Sequence, residues 1–344
     1  MLFRSSNPNP DRVAAECAHY EICGGCSLQH LASEKQIAHK QSVLLELFDH
    51  HAGAEPQEVL PPLTADIWHY RRRARLGVKL VEKKGGILVG FREKASPYIA
   101  DIAQCEVLDK SIGYSLGELR TLIGGLSIAN KIPKLEVAIG DSTTAIIVRH
   151  LEGLSNEDMM RLAEFQKQMK ISLFLQPAGE DSVHPLNGDT GHLSYNVEGI
   201  NFQFTPSNFV QVNHAINVKM INAVIEHLAL VREDKLLDLF CGLGNFTLPL
   251  ARLVNSVHGV EGDTALVNLA QSNALANEVD NATFTKMDLT DENFFHKLEM
   301  EKYNKMLLDP PRSGAEKLLV SGRLDNIEKI AYVSCNPVTL ARDA

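Results

Sequence analysis

Leu236-Leu237-Asp238-Leu239-Phe240-Cys241-Gly242-Leu243-Gly244-Asn245-Phe246-Thr247 is the stretch that decides the fold. It reads as an apolar strand, a glycine turn and the start of a helix. Two glycines let the backbone pass close to a ligand, and the helix start offers unpaired N–H groups. A tight strand-to-helix turn also needs glycine for steric reasons alone, so the turn by itself leaves both readings open. Outward from it, helices and short apolar strands alternate. A helix is expected from Ala215 to Leu228, then strand 235–239, helix 247–253, strand 256–260, helix 264–276, and strands 282–285, 305–308 and 330–334. Such alternation predicts a parallel sheet with helices on both faces.

The second strand ends in Gly259-Val260-Glu261, about 20 residues past the glycine turn, where a carboxylate can accept hydrogen bonds from a ribose diol. The spacing is not the dinucleotide G-x-G-x-x-G, because Gly244 is followed by Asn245-Phe246-Thr247. The third strand ends near Met287-Asp288, whose carboxylate suits either an adenine amino group or a loop cap. Together the three strand ends read as an adenosyl pocket of the class I methyltransferase kind, a Rossmann-like α/β sheet.

Lys305-Met306-Leu307-Leu308-Asp309-Pro310-Pro311-Arg312 puts a stiff Asp-Pro-Pro turn at the end of the fourth strand. An arginine follows the prolines, where enzymes that methylate exocyclic amines often carry a stacking aromatic. Tyr332-Val333-Ser334-Cys335-Asn336-Pro337 presents a cysteine at the same edge. Uracil C5 is too weak a nucleophile to take a methyl group unless a thiolate first adds to C6, and that is the chemistry a cysteine here suits. A free thiol has a pKa of about 8.5, so such a site must favour the anion. Taken without its neighbours, Cys335 would read as a small core residue.

Upstream, Ala74–Leu80, Ile87–Phe91, Leu135–Ile139, Thr143–Arg149 and Ile171–Leu175 have strand character, Lys84-Gly85-Gly86 reads as a hairpin turn, and 155–169 reads as a helix. A polar loop is expected over 176–192. This central part is expected to be a mixed, largely antiparallel α+β domain. Before it, Cys17 and Cys23-Gly24-Gly25-Cys26 form a cysteine-rich loop, followed by apolar residues at helical spacing from Ser33 to His50. Cys-x5-Cys-x2-Cys with a distant fourth cysteine suits zinc as well as an iron–sulphur cluster. The expected division is 1–66, 67–205 and 206–344.

The net charge of −9 excludes binding of nucleic acid through an overall positive potential. A local contact remains: Tyr70-Arg71-Arg72-Arg73-Ala74-Arg75 places four arginines in five positions beside aromatic residues. The run reads either as a solvated strand or as an RNA contact, which arginine suits by forking onto phosphates and stacking on bases. With no apolar run near 18 residues and a polar start, no membrane segment is expected, and cytoplasmic location is. No obligate protein partner is evident.

Cys17-x5-Cys23-Gly24-Gly25-Cys26, Tyr70 to Leu76, Gly90-Phe91-Arg92, Gln104-Cys105, Phe209-Val210-Gln211-Val212-Asn213, the 237–246 stretch, Leu308-Asp309-Pro310 and Ser334-Cys335-Asn336-Pro337 stand together in this one chain. With them the chain resembles the RNA uracil-5-methyltransferase family, most closely its iron–sulphur members acting on 23S rRNA. The resemblance implies S-adenosyl-L-methionine as methyl donor and Cys335 as nucleophile. It implies that Gln211, Phe240, Asn245, Glu261, Asp288 and Asp309 line the cofactor and uracil pocket, and that Cys17, Cys23, Cys26 and Cys105 hold a 4Fe-4S cluster. It further implies 23S rRNA as partner, with Arg71, Arg72, Arg73 and Arg75 as its contacts. Two departures are expected. No room precedes Cys17 for the OB-like domain of the longer members. The family's last strands and its proton-abstracting glutamate lie beyond the position of Ala344, so the sheet is expected to be truncated, and no residue here is assigned that role.

Overall fold

The computed structural model describes residues 9–53, 55–188, 193–291, 293–321 and 324–344. The first eight residues of the polar start and the last four of the 176–192 loop lie outside the described residues. Contacts between Cα atoms divide the chain into two compact units. One comprises the residues up to His39 with Thr64–Leu193 and Thr205–Ala215; the other comprises Lys40–Leu63, Ser194–Phe204 and Ile216–Ala344.

The first unit is built on β1 (Arg73–Val81), β2 (Gly86–Gly90), β3 (Lys134–Ile139), β4 (Thr144–Arg149), β5 (Ser172–Gln176) and β6 (His184–Pro185), in the order β2-β1-β3-β4-β5-β6. All neighbours are antiparallel except β4 and β5. The period-two pattern of β1 buries Ala74, Leu76 and Val78 and exposes Arg75 and Lys79. The expected hairpin turn is present, with Gly85 and Gly86 at φ 83° and 127°.

Its helices are α1 (Ser33–Leu47), which runs across the division, α2 (Lys110–Gly113), α3 (Leu116–Gly124) and α4 (Asn156–Met169). α3 buries Leu116, Leu119, Leu122 and Ile123, one helical face, in the core that holds Leu76 and Val89. α4 opens with a capping box between Ser155 and Asp158. The Asp158 carboxylate also accepts the N–H of Ser127 at 2.7 Å, and these hydrogen bonds outweigh burial and hold its pKa down to about 2. The helix expected from Ser33 is present as α1, with none of its residues buried.

The second unit pairs β7 (Leu193–Val197) with β8 (Ile200–Phe204), and after α5 (His214–Leu228) forms a five-stranded parallel sheet. That sheet runs through β9 (Lys235–Leu239), α6 (Thr247–Ala251), β10 (Ser256–Glu261), α7 (Thr264–Ala276), β11 (Ala282–Lys286), β12 (Lys305–Leu308), α8 (Glu316–Ser321), β13 (Lys329–Tyr332) and α9 (Pro337–Asp343). Strand order is β11-β10-β9-β12-β13. The chain winds outward from β9 to β11, then crosses to β12 and β13, so the order reverses between β9 and β12. Open α/β sheets bind ligands at the carboxyl ends of the strands flanking such a reversal. Leu237, Leu239, Met306, Leu308, Phe294 and Phe295 pack beneath it. β13 stops at Tyr332, two residues short of the expected end, because the Ser334 hydroxyl accepts the N–H of Asn336 and turns the chain. Among the described residues no helix is long and apolar enough to cross a membrane.

Candidate active site

The loop after β9 is the floor of the reversal. Gly242 and Gly244 take φ of 55° and 92°, and Phe240 is held at 64°, a strained value for a side chain of its size. The β10 carboxylate braces this loop: Glu261 Oε2 accepts the N–H of Gly242 at 3.0 Å, while Oε1 accepts those of Gly262 and Asp263. Asn245 is fixed by a reciprocal amide pair with Asn217, at 2.8 and 2.9 Å, and by the hydroxyl of Tyr195, which donates to its Oδ1 at 2.9 Å.

Carboxylates crowd this crevice. Asp238, near the end of β9, is 1% exposed; its Oδ2 accepts the Thr247 hydroxyl at 2.5 Å and its Oδ1 has no hydrogen-bond partner among the described residues. Burial pushes its carboxyl up to about 7 against the Thr247 hydrogen bond, and the charges of Asp309 and Glu261 add to the rise. Burial likewise pushes Asp309, just past β12, up to about 6. A cationic guest would favour the anionic form of both Asp238 and Asp309, against the burial that raises them. Asp288, past β11, is less committed to the crevice, since its Oδ1 accepts the N–H and hydroxyl of Thr290, a loop cap that lowers its pKa.

Cys335 is exposed, in the turn between β13 and α9. Parallel pairing sets Leu308 opposite Tyr332, and the N–H of Val333 donates to the Leu308 carbonyl at 2.8 Å. Asn336 Nδ2 then donates to the Arg312 carbonyl at 3.0 Å, which Thr339 Oγ1 also reaches. The cysteine turn and the Asp-Pro-Pro-Arg loop are thus joined on both sides of Cys335. Cys241, by contrast, is buried, and its thiol is pushed far up by burial.

Gln211 lies in the Thr205–Ala215 segment of the first unit. The arginine run anchors that segment. Arg73, itself largely buried, donates to the carbonyls of Pro206 and Ser207 at 2.7 and 3.1 Å, and the N–H of Arg72 donates to the Val212 carbonyl at 2.9 Å. Arg72 also pairs with Asp141, whereas the Arg75 side chain is 65% exposed beside Glu136. Arg71 lies with its guanidinium 5.8 Å from the centre of the Phe91 ring.

Arg71 and Phe91 line a cavity together with Cys17, Cys23, Cys26 and Cys105. Burial raises the pKa of Cys17, Cys23 and Cys105, and the neighbouring thiols raise it further. Among the described residues no three His, Cys, Asp or Glu side chains stand close enough to hold a single metal ion. Four thiols around one cavity are a donor set that zinc and an iron–sulphur cluster both use.

Asp238, Thr247, Asn217, Tyr195 and Asn336 are not singled out by the sequence. Only the pair Asp238 and Thr247 carried a local signal, a carboxylate and a hydroxyl bracketing the glycine turn.

The family model described as tRNA (uracil-5-)-methyltransferase matches residues 32–344. The chain belongs to that family. It is 47% identical, over 98% of its length and 77% of the relative's, to the 23S rRNA (uracil(1939)-C(5))-methyltransferase of Alkalilimnicola ehrlichii. It is 44% identical to the enzyme of the same name from Legionella pneumophila (strain Corby), over 99% of this chain and 78% of the relative. Among solved structures it is similar to the Pyrococcus abyssi tRNA (uracil-54, C5)-methyltransferase in complex with S-adenosyl-L-homocysteine. The TM-score is 0.74 at 25% identity, covering 98% of this chain and 79% of that one. The parallel sheet and its strand-end crevice are therefore those of a methyltransferase.

Proposed function

We propose that the protein is a 23S rRNA (uracil(1939)-C5)-methyltransferase using S-adenosyl-L-methionine, the activity named for its relatives. The observation that carries the reading is Cys335, exposed on a turn tied to the Asp309–Arg312 loop at the point where strand order reverses.

Glu261 accepts the ribose diol, Asp288 faces the adenine amine, Phe240 packs on the nucleoside and Asn245 holds the glycine loop in shape. The Asp309 carboxylate lies on the side of the positive sulphonium. Gln211, a planar amide, reads a base edge. Cys335 Sγ, as thiolate, forms a bond to C6 of the uracil and drives its electron pair onto the C4 oxygen as an enolate. C5 then attacks the sulphonium methyl, and the S–CH3 bond breaks with its electron pair leaving on the sulphur of S-adenosylhomocysteine. A base removes the C5 proton, the electron pair re-forms the 5,6 double bond, and the Cys335 thiolate departs. Of the arginine run, Arg75 and Arg72 face the RNA, while Arg71 and Arg73 hold the fold that presents them.

Cys17, Cys23, Cys26 and Cys105 hold a 4Fe-4S cluster, which supplies a cross-link between the N-terminal loop and the segment before α2. A ribosomal RNA substrate gives the enzyme a cytoplasmic place of work. The test is transfer of labelled methyl to a 23S rRNA fragment, with release of tritium from C5-labelled uridine at the target. Release is expected in step with methylation; methyl transfer to RNA that is free of protein, without C5 tritium release, would move the reaction to another atom.

A further inference from the structure

The outward face of β1, β2 and β3 carries an open groove that the reaction does not use. It exists because of two glycines. Gly77 and Gly90 stand directly opposite each other across β1 and β2. A Cβ on Gly77 would collide with the Ile99 side chain, and one on Gly90 would come within 2.9 Å of Ile102. The segment from Phe91 to Ile102 therefore crosses the sheet where side chains are missing, and its edge forms one wall of the groove.

The lining is unusual for a chain of net charge −9. Arg75 and Lys79 from β1, Lys134 from β3, Lys84 from the hairpin turn and Arg92 all line it, with Glu93 the one acidic residue among its lining. Glu136 takes up part of this charge, pairing with Arg75 at 3.3 Å and with Lys134, and Glu93 pairs with Lys84 at 3.5 Å. The Lys79 and Arg92 side chains are exposed and take part in no hydrogen bond or ion pair among the described residues. Tyr98, 71% exposed, stands on the crossing segment at the rim. A positive groove with an aromatic face at its edge meets the requirements of a single-stranded nucleic acid: cations for the phosphates, a flat surface for a base. On a chain of net charge −9, cations gathered on one sheet face give it a local potential opposite to that of the whole.

We propose that this groove binds a single-stranded segment of the RNA substrate, its phosphates on Lys79, Arg92 and Arg75 and one base stacked on Tyr98. It rests on the reading of RNA as substrate. Binding is measured by fluorescence anisotropy of a 23S rRNA fragment containing the target uridine, across a salt series, for the full chain and for Lys79→Gln/Arg92→Gln, Tyr98→Ala and Tyr98→Phe. Affinity for S-adenosyl-L-homocysteine serves as the control for folding, and all variants are expected to keep it.

The double variant is expected to bind RNA about tenfold more weakly at 0.15 M salt and to lose about 1.4 from the log–log salt slope, two single-strand phosphate contacts. Tyr98→Ala is expected to weaken binding about tenfold, and Tyr98→Phe, which keeps the ring, to bind as the parent does. If the parent binds and methylates the fragment while the variants match its affinity and slope, the groove is refuted and the substrate reading stands. Competition by poly-glutamate as effective as that by unlabelled RNA would also refute it, reducing the face to a general anion surface. A parent that binds no RNA overturns both.

Discussion

Asn336 Nδ2 donates to the carbonyl oxygen of Arg312 at 3.0 Å, so the turn that carries Cys335 is fastened to the loop that begins at Asp309. Its Oδ1 meanwhile accepts the N–H of Val338 and caps α9. One amide thereby sets the distance between the nucleophile's turn and a carboxylate loop on the neighbouring strand.

Asn336→Ala is expected to slow single-turnover methylation about tenfold, the loss of one oriented hydrogen bond worth about 1 kcal/mol together with a loosened cap. Affinity for S-adenosylmethionine should hardly change. Equal losses in affinity and rate would assign Asn336 to the folding of the whole crevice instead.

Asp309, with its carboxyl raised to about 6, gives methyl-donor binding a pH dependence. Its neutral form dominates below that value and its anion above, so affinity for the sulphonium should rise up to about tenfold between pH 5 and pH 7.5. The uncharged sulphur of S-adenosylhomocysteine should follow less steeply, and Asp309→Asn should flatten the difference. Calorimetric titration of both ligands across that range checks it.

Asp238 makes the corresponding statement about stability. Its folded pKa, about 7, lies above the ordinary 3.8, so the native state binds the proton more tightly and stability falls as pH rises from about 4 to about 7. Asn in its place keeps an acceptor for Thr247 and removes the buried charge. Denaturant unfolding of Asp238→Asn at pH 8 is expected to gain up to about 4 kcal/mol over the parent, an upper bound set by the size of the shift. At pH 4 the two should coincide.

Within the arginine run, burial separates structure from surface. Arg73→Ala should cost about 2 kcal/mol, because its charged hydrogen bonds hold Pro206 and Ser207. Arg75→Ala, at a largely exposed position, should stay within about 0.5 kcal/mol. Midpoints of urea unfolding distinguish the two.

Cys105→Ser is expected to abolish the visible absorption and the iron content of protein purified without oxygen. Stoichiometric zinc and no iron in the parent would replace the cluster by a mononuclear site.

These contrasts mark how far the sequence could be read. The strand-turn-helix at 236–247 was legible because a short parallel strand and a glycine turn are local signals, and the alternation after it gave the sheet. The β7–β8 pair and α2–α3 were missed, the helices because Gly113, Gly117, Gly124 and Gly125 interrupt their apolar spacing. The partners of Asn245 could not be read, since Tyr195 and Asn217 reach it from 50 and 28 residues away. The arginine run was read by its charge, but burial of Arg73 against carbonyl groups depends on where residues 205–215 fold back.

The decisive measurement is trapping of the covalent adduct. Protein mixed with S-adenosylmethionine and a target fragment containing 5-fluorouridine, which has no C5 proton to lose, should give a band that survives denaturation and maps to Cys335 by mass spectrometry. Cys335→Ala should give none. An adduct on another residue, or undiminished methylation of uridine by Cys335→Ala, would contradict the assignment of that thiol as the nucleophile.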